Sequence, residues 1–255
     1  MMKVKILGCS GGVGGDLHTT SMLIDEDILI DAGTGVGRLS LNALQKINHV
    51  FITHAHMDHI AFLPLLLDSV LGLRDETINV YASAQVIHIL KEHVFNWLIW
   101  PNFNLIPNRE NPLLTYKILN VGDTVTLAGR MITALPVNHS VPAVGYQLDS
   151  GSQSLVFTGD TASCKALWDK VNTIQNLKYL IIETAFSNQD ESLAAESKHL
   201  CPITLADELD YLHQQPHVYI THLKPGAGEK IMSEIAQHPK TAHCKVLLNE
   251  QVFEL

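Results

Sequence analysis

The sequence predicts one α/β domain rich in antiparallel strands. Short apolar runs bounded by Gly, Asp and Asn turns recur along the chain, segments with helical apolar spacing lie between them, and no linker or shift in composition divides residues 1–255. The first run, VKILG (4–8), passes through the glycine-rich turn CSGGVGGD to SMLID (21–25) and DILID (27–31), which are close enough to pair across a tight turn. Val36, Leu39, Leu41, Leu44 and Ile47 fall at roughly helical spacing and predict a helix over 36–47. HVFIT (49–53) is the next strand, 59–72 a mostly apolar helix, and INVYA (78–82) a strand again. Residues 83–100 read as a helix rich in large apolar groups and stopped by Pro101. PNFNLIPNRENP (101–112), with three prolines and four asparagines, is the most loop-like stretch, either a lid or a surface excursion. Strands follow at 124–128, 131–137, 143–148 and 154–158, then a helix at 163–171 and a strand at 179–183. An amphipathic helix (203–215), a strand (218–221), a helix (228–238) and a strand (245–249) complete the pattern.

Composition narrows the function classes. Hydrophobic residues make up 46% and charged residues 17%, which describes a protein with a sizeable core. A formal net charge of −9 and the absence of any basic run argue against an extended nucleic-acid surface, because phosphate neutralisation needs clustered Lys and Arg. A small substrate is favoured, although a local metal centre could still attract phosphate. Cys9, Cys164, Cys201 and Cys244 lie far apart with no C-x-x-C pair, which suits free thiols in a reducing compartment. MMKVKILGCS enters a strand at once without a secretory pattern, and Asp68 and Arg74 interrupt the longest candidate for a membrane span. The expectation is a cytoplasmic protein without a membrane partner; a homodimer is the common outcome for soluble oligomers.

The chemistry concentrates in THAHMDH (53–59), where His54, His56, Asp58 and His59 crowd the start of an apolar helix. A helix start needs one cap, and Asp58 alone would supply it. Residues two apart on an extended segment point the same way, so His54 and His56 can meet one cation, with Asp58 and His59 facing a second position. Imidazoles with carboxylate support suit zinc, and iron or manganese as well. Other strand ends offer partners: His139 in PVNHSVPAVGY, Asp160 in SLVFTGDTAS and His222 in VYITHLKPG. Each alone reads as an ordinary loop or turn residue; four such strand ends in one chain do not.

THAHMDH with NH at 139, GD at 160 and TH at 222 resembles the metallo-β-lactamase superfamily, over nearly the whole chain from LGCSGG through LIDAG to ITHLKPG. The resemblance implies a single hydrolase domain over 1–255 with an αββα four-layer sandwich. It also implies a two-metal site: His54, His56 and His139 on the first cation, Asp58, His59 and His222 on the second, and Asp160 bridging. Common zinc β-lactamases carry cysteine where this chain has Asp160, and a carboxylate bridge suits phosphoester and thioester hydrolysis.

Three segments point to a branch. HVFNWLIWPNF (93–103) and HAHMDHIAFLPLLLDS are similar to segments of class II 3′,5′-cyclic-nucleotide phosphodiesterases. IIETAFSN (181–188) with ESKHLCPITLADEL (196–209) resembles the region where that family and the tRNA 3′-processing ribonucleases keep a Glu and a further His, here Glu183 and His199. The implied chemistry is hydrolysis of cAMP or cGMP to the 5′-monophosphate. Asp58 or Asp160 would orient the water, and His199, held by Glu183, would protonate the leaving group. The plainer reading of His199 is a cap for the following helix. Two alternatives share the ligands: a tRNase Z-like RNA endonuclease, and a glyoxalase II-like thioesterase, a class that adds a helical C-terminal domain. A metal-stabilised binding module is the non-enzymatic alternative. Trp97, Trp100 and Phe103 could stack on a base, but the helical spacing of Trp97 and Trp100 favours burial in the core. Asp31 either supports a ligand histidine or forms a turn. CSGGVGGD lacks the P-loop Lys-Ser/Thr and reads as a tight turn beside the metal site.

Overall fold

A computed structural model describes residues 1–255. In chain order the elements are β1 (Lys3–Gly8), β2 (Ser21–Ile24), β3 (Ile28–Ile30), α1 (Leu41–Leu44), β4 (His49–Phe51), α2 (Met57–Ile60), α3 (Leu63–Val70), β5 (Ile78–Ala82), α4 (Ala84–Ile89) and β6 (Leu114–Ile118). Then come β7 (Thr124–Leu127), β8 (Arg130–Pro136), β9 (Val144–Asp149), β10 (Ser154–Phe157), α5 (Lys165–Val171), β11 (Leu177–Glu183), α6 (Glu191–Ser197), α7 (Pro202–Leu209), β12 (His217–Thr221), α8 (Gly228–Gln237), β13 (Lys245–Val246) and β14 (Val252–Glu254). They build two seven-stranded sheets, ordered β14-β1-β2-β3-β4-β5-β6 and β13-β12-β11-β10-β9-β8-β7. Each sheet is antiparallel at one end and parallel at the other; β3 to β6 run parallel, as do β10 to β13.

Strand alternation sorts the apolar residues into layers. In β3, Ile28 and Ile30 face the opposite sheet, where they meet a core that includes Tyr146, Leu148 and Phe157, while Leu29 faces outward. On the outer side of the first sheet, α3 buries Leu63, Leu66, Leu67 and Val70, a helical i, i+3, i+4, i+7 stripe. On the outer side of the second, Leu167 and Trp168 of α5, Leu205 of α7 and Ile231 and Ile235 of α8 cover Val156, Leu180, Ile182 and Ile220. The result is the expected αββα order. No helix is long and apolar enough to cross a membrane.

The strands agree with the sequence reading to within a few residues, with β6 and β14 added, while several helices are shorter. The segment 36–47 divides into a 3₁₀ turn (Thr34–Arg38) and α1, whose N-cap Ser40 accepts a hydrogen bond from Ala43 N at 3.3 Å. The segment 59–72 breaks at Phe62 before Pro64, where Phe62 N donates to Ala32 O (2.8 Å). The amphipathic segment 203–215 is helical only over Pro202–Leu209. The helix expected to reach Trp100 ends in a π turn at Leu90–Val94. There the side chain of Asn96 accepts hydrogen bonds from Leu98 N and Ile99 N, an alternative to the helical ladder. Trp97 consequently sits at φ 68 with 59% of its surface exposed, contrary to the core position that its spacing suggested. Residues 101–112 are a surface excursion at the starting ends of β5 and β6: Thr77 Oγ1 donates to Pro112 O (2.7 Å) and Leu113 N to Ile106 O (2.8 Å).

Candidate metal centre

The finishing ends of β4, β10, β11 and β12 open on one edge of the sandwich, where the sequence-predicted polar residues gather. His54 and His56 follow β4, and His56, in extended backbone, is the N-cap of α2, which carries Asp58 and His59. His139 follows β8. Asp160 follows β10 after Gly159, whose φ of +60 turns the chain back, and His222 follows β12 at φ 62. The expected ligands fall into two sets: His54, His56, His139 and Asp160, and Asp58, His59, His222 and Asp160. Within each set the ligand atoms lie within 4.8 Å of one another.

In the first set, His56 Nδ1 lies 3.1 Å from His54 Nε2 and 3.2 Å from His139 Nε2, and Asp160 Oδ2 lies 3.6 Å from His54 Nε2. In the second, His222 Nε2 is 3.1 Å from Asp58 Oδ2 and 3.3 Å from Asp160 Oδ2, while His59 Nε2 is 3.4 Å from Asp160 Oδ1. Four donors around a zinc ion at roughly 2.0–2.1 Å in a tetrahedron stand about 3.3 Å apart, so the spacing fits a divalent cation in each set. His59 Nε2 is buried with no hydrogen-bond partner, as a nitrogen awaiting a cation would be.

Electrostatics agree with that fit in the first set. Burial pushes the pKa of His54 well below the ordinary imidazole value, lowers that of His56, and brings that of His139 to about 4, which leaves their lone pairs free. Burial also opposes charge on Asp160 and His59. The charge of His222 and then that of His59 hold Asp160 well below the carboxylate range, while Asp160 and Asp31 hold His59 well above the imidazole range, so a cation entering the second set must displace a proton from that ring. For Asp58, burial is outweighed by the His222 hydrogen bond and the charge of His59, which keep it ionised.

Supporting contacts fix the rings. Asp31, fully buried, accepts hydrogen bonds from Thr53 N (2.8 Å), Thr53 Oγ1 (2.8 Å) and His59 Nδ1 (2.7 Å), so it takes the supporting role and not merely the turn. His139 Nδ1 donates to Lys198 O at 3.1 Å. Gly11 packs against His222, where an added Cβ would lie 2.5 Å from its carbonyl oxygen and 2.8 Å from Nδ1; the glycine-rich turn is therefore a tight turn against this centre. Beside both sets, Glu183 Oε1 accepts from His199 Nδ1 (2.7 Å), and the Glu183 carboxylate also accepts from the backbone N–H groups of Thr161, Ala185 and Leu200. Burial lowers the proton affinity of His199, but the hydrogen bond and charge of Glu183 raise it further, to a net rise. The His199 ring lies 5.1 Å from those of His139 and His222, so it faces the centre and does not cap α7. The aromatic neighbour of His199 is Phe186, at 5.7 Å, which the sequence reading did not single out. Phe103 is fully buried against Phe95 and Trp100 packs on the same core, so neither offers a stacking face here.

The family described as the beta-lactamase superfamily domain matches residues 26–235. A protein of Yersinia pestis named a probable 3′,5′-cyclic-nucleotide phosphodiesterase is 31% identical over 92% of this chain and 83% of its own length. A 3′,5′-cyclic-nucleotide phosphodiesterase of Aliivibrio fischeri is 26% identical over 86% of this chain and 80% of its own, and a ribonuclease Z of Clostridium beijerinckii is 30% identical over 57% and 48%. Among solved structures, unliganded yeast PDE1 superposes with a TM-score of 0.80 at 20% identity, covering 100% of this chain and 99% of its own. The metallo-beta-lactamase fold protein YhfI from Bacillus subtilis superposes with 0.77 at 19%, covering 100% of both chains. With its fold, its ligand sets and these relatives in agreement, the chain belongs to the beta-lactamase superfamily.

Proposed function

We propose that the protein is a binuclear metal-dependent phosphodiesterase that hydrolyses 3′,5′-cyclic nucleotides, cAMP or cGMP, to 5′-monophosphates. The observation that carries this reading is the carboxylate of Asp160, shared between two ligand sets and flanked by the Glu183–His199 pair. In this assignment His54, His56 and His139 hold one cation and Asp58, His59 and His222 the other, with Asp160 between them. Two bound divalent cations, zinc first and manganese or iron as alternatives, would supply Lewis acidity to the phosphoryl oxygens and acidify water.

The residues of the chain do the rest. Asp58, ionised and half-buried, accepts a hydrogen bond from the attacking water and sets its direction. His199 enters the reaction protonated, with Nδ1 committed to Glu183, and gives the proton on Nε2 to the leaving alkoxide. Glu183 keeps that ring aimed and supports its positive charge. The cyclic-nucleotide substrate is supported by similarity to phosphodiesterases over most of the chain. Purified protein reconstituted with zinc, manganese or iron is expected to hydrolyse cyclic AMP, and His56→Ala to abolish the activity. Metal-loaded protein that ignores every cyclic nucleotide while cleaving another phosphodiester would remove the substrate assignment.

A second reading, an RNA 3′-end endonuclease, is favoured by the similarity to ribonuclease Z. The net charge of −9 weighs against a grip on tRNA. A gel-shift with tRNA at low salt separates the two readings.

A further inference from the structure

Lys224 stands two residues beyond His222, half-buried in a protein with 26 acidic and 17 basic residues, yet no carboxylate pairs with it. Its ammonium donates to Gly11 O (3.0 Å) and lies 5.9 Å from the centre of the Phe186 ring, which in turn meets the ring of His199. The backbone is stitched down on two sides: Lys224 N donates to Ala185 O (3.3 Å), and the preceding Leu223 O accepts from Gly11 N (3.1 Å). An ammonium has three N–H donors and Lys224 uses one of them. Lys198, on the other side of the centre, is differently employed. Its ammonium donates to Asn138 Oδ1 (3.2 Å) and His139 O (3.3 Å), which holds the His139 loop. A cation with donors to spare, separated by the Phe186 ring from an imidazole that faces the candidate metal ligands, is the arrangement that an anionic substrate oxygen needs.

We propose that Lys224 is a substrate-binding residue whose unused N–H groups hold a phosphoryl oxygen of the anionic ester. This inference deepens the phosphodiesterase reading and rests on it: the site would select a charged phosphate ester over a neutral thioester. The plainer role, a tether for the loop at Gly11, makes a different set of predictions.

The test compares wild type with Lys224→Met, Lys224→Gln and Lys224→Arg, each metal-loaded and checked for metal content and Tm. Calorimetric titration with AMP and with orthophosphate reads anion binding without turnover, and steady-state kinetics on cyclic AMP read KM and kcat separately. Loss of a charge-assisted hydrogen bond is expected to weaken AMP binding in the Met and Gln variants about 10- to 100-fold. KM is expected to rise by a similar factor with kcat little changed, the salt dependence of kcat/KM to flatten, and the Arg variant to recover most of the loss. Unchanged AMP and orthophosphate affinity in the Met and Gln variants overturns the proposal, as does a fall in Tm and kcat with KM intact. Should wild type hydrolyse no phosphodiester, the functional reading fails separately. The orthophosphate titration then still decides for or against Lys224.

Discussion

Replacing Asp31 with Asn tests whether the carboxylate behind His59 controls metal binding. Asp31 Oδ1 accepts from Thr53 N, and Oδ2 accepts from both Thr53 Oγ1 and His59 Nδ1. Asn keeps the shape and can keep the Thr53 N bond, but it places an N–H where Oδ2 stood. The hydroxyl of Thr53 can rotate to accept that N–H; His59 Nδ1–H cannot. The imidazole must then move its proton to Nε2, the atom 3.4 Å from Asp160 Oδ1, and its lone pair no longer faces the ligand set. Loss of such a partner typically costs about 10- to 100-fold in metal affinity, or roughly 1.4–2.7 kcal/mol. Asp31→Ala is expected to be worse: it strands three buried donors, at about 1–3 kcal/mol each. Competitive chelator titration with elemental analysis reads the outcome. Asp31→Asn is expected to keep the cation of the His54–His56–His139 set and lose occupancy beside Asp58, His59 and His222. Equal affinity at both positions in Asp31→Asn and wild type would refute the tautomer argument.

Glu183→Gln is expected to lower kcat about 100-fold or more with metal content unchanged; a parallel loss of metal would instead make Glu183 a structural support of the centre. Gly11→Ala drives a methyl into the carbonyl and ring of His222, so Tm and metal affinity should both fall, and a variant identical to wild type would show that the close approach is not maintained in solution. Chelation should lower Tm, because a ligand held only by the folded state at 100 times its dissociation constant contributes about 2.7 kcal/mol. A Tm indifferent to chelator would count against cation binding by the folded protein.

The centre was legible because its residues follow apolar strands whose ends sequence pattern locates well. HVFIT delivers His54, SLVFT leads to Asp160 and VYIT to His222. What escaped depends on side chains meeting across long separations or on exposed edges. LIDAG leaves Asp31 open between a turn and support for a ligand histidine without saying which ring it reaches, and nothing in the sequence marks Phe186 as the neighbour of His199 or Lys224 as the neighbour of Phe186. Apolar periodicity continues past Val94 and predicts helix through Trp97, whereas Asn96 ends the ladder by bonding to nearby amides. The edge strands β6 and β14 mix exposed and buried residues over three to five positions and lack the apolar run that identified the inner strands.

The candidate ligand atoms sit on the seam between the two sheets: His54, His56, Asp58 and His59 are carried by one, and His139, Asp160 and His222 by the other. A cation there would act as a rivet. Apolar contact between the sheets resists separation gradually, but coordination resists it abruptly, since prying the layers apart must strip donors from the ion. Occupancy of the centre would thus set the mechanical stiffness of the whole sandwich, and amide exchange in strands far from the substrate should slow when metal is added.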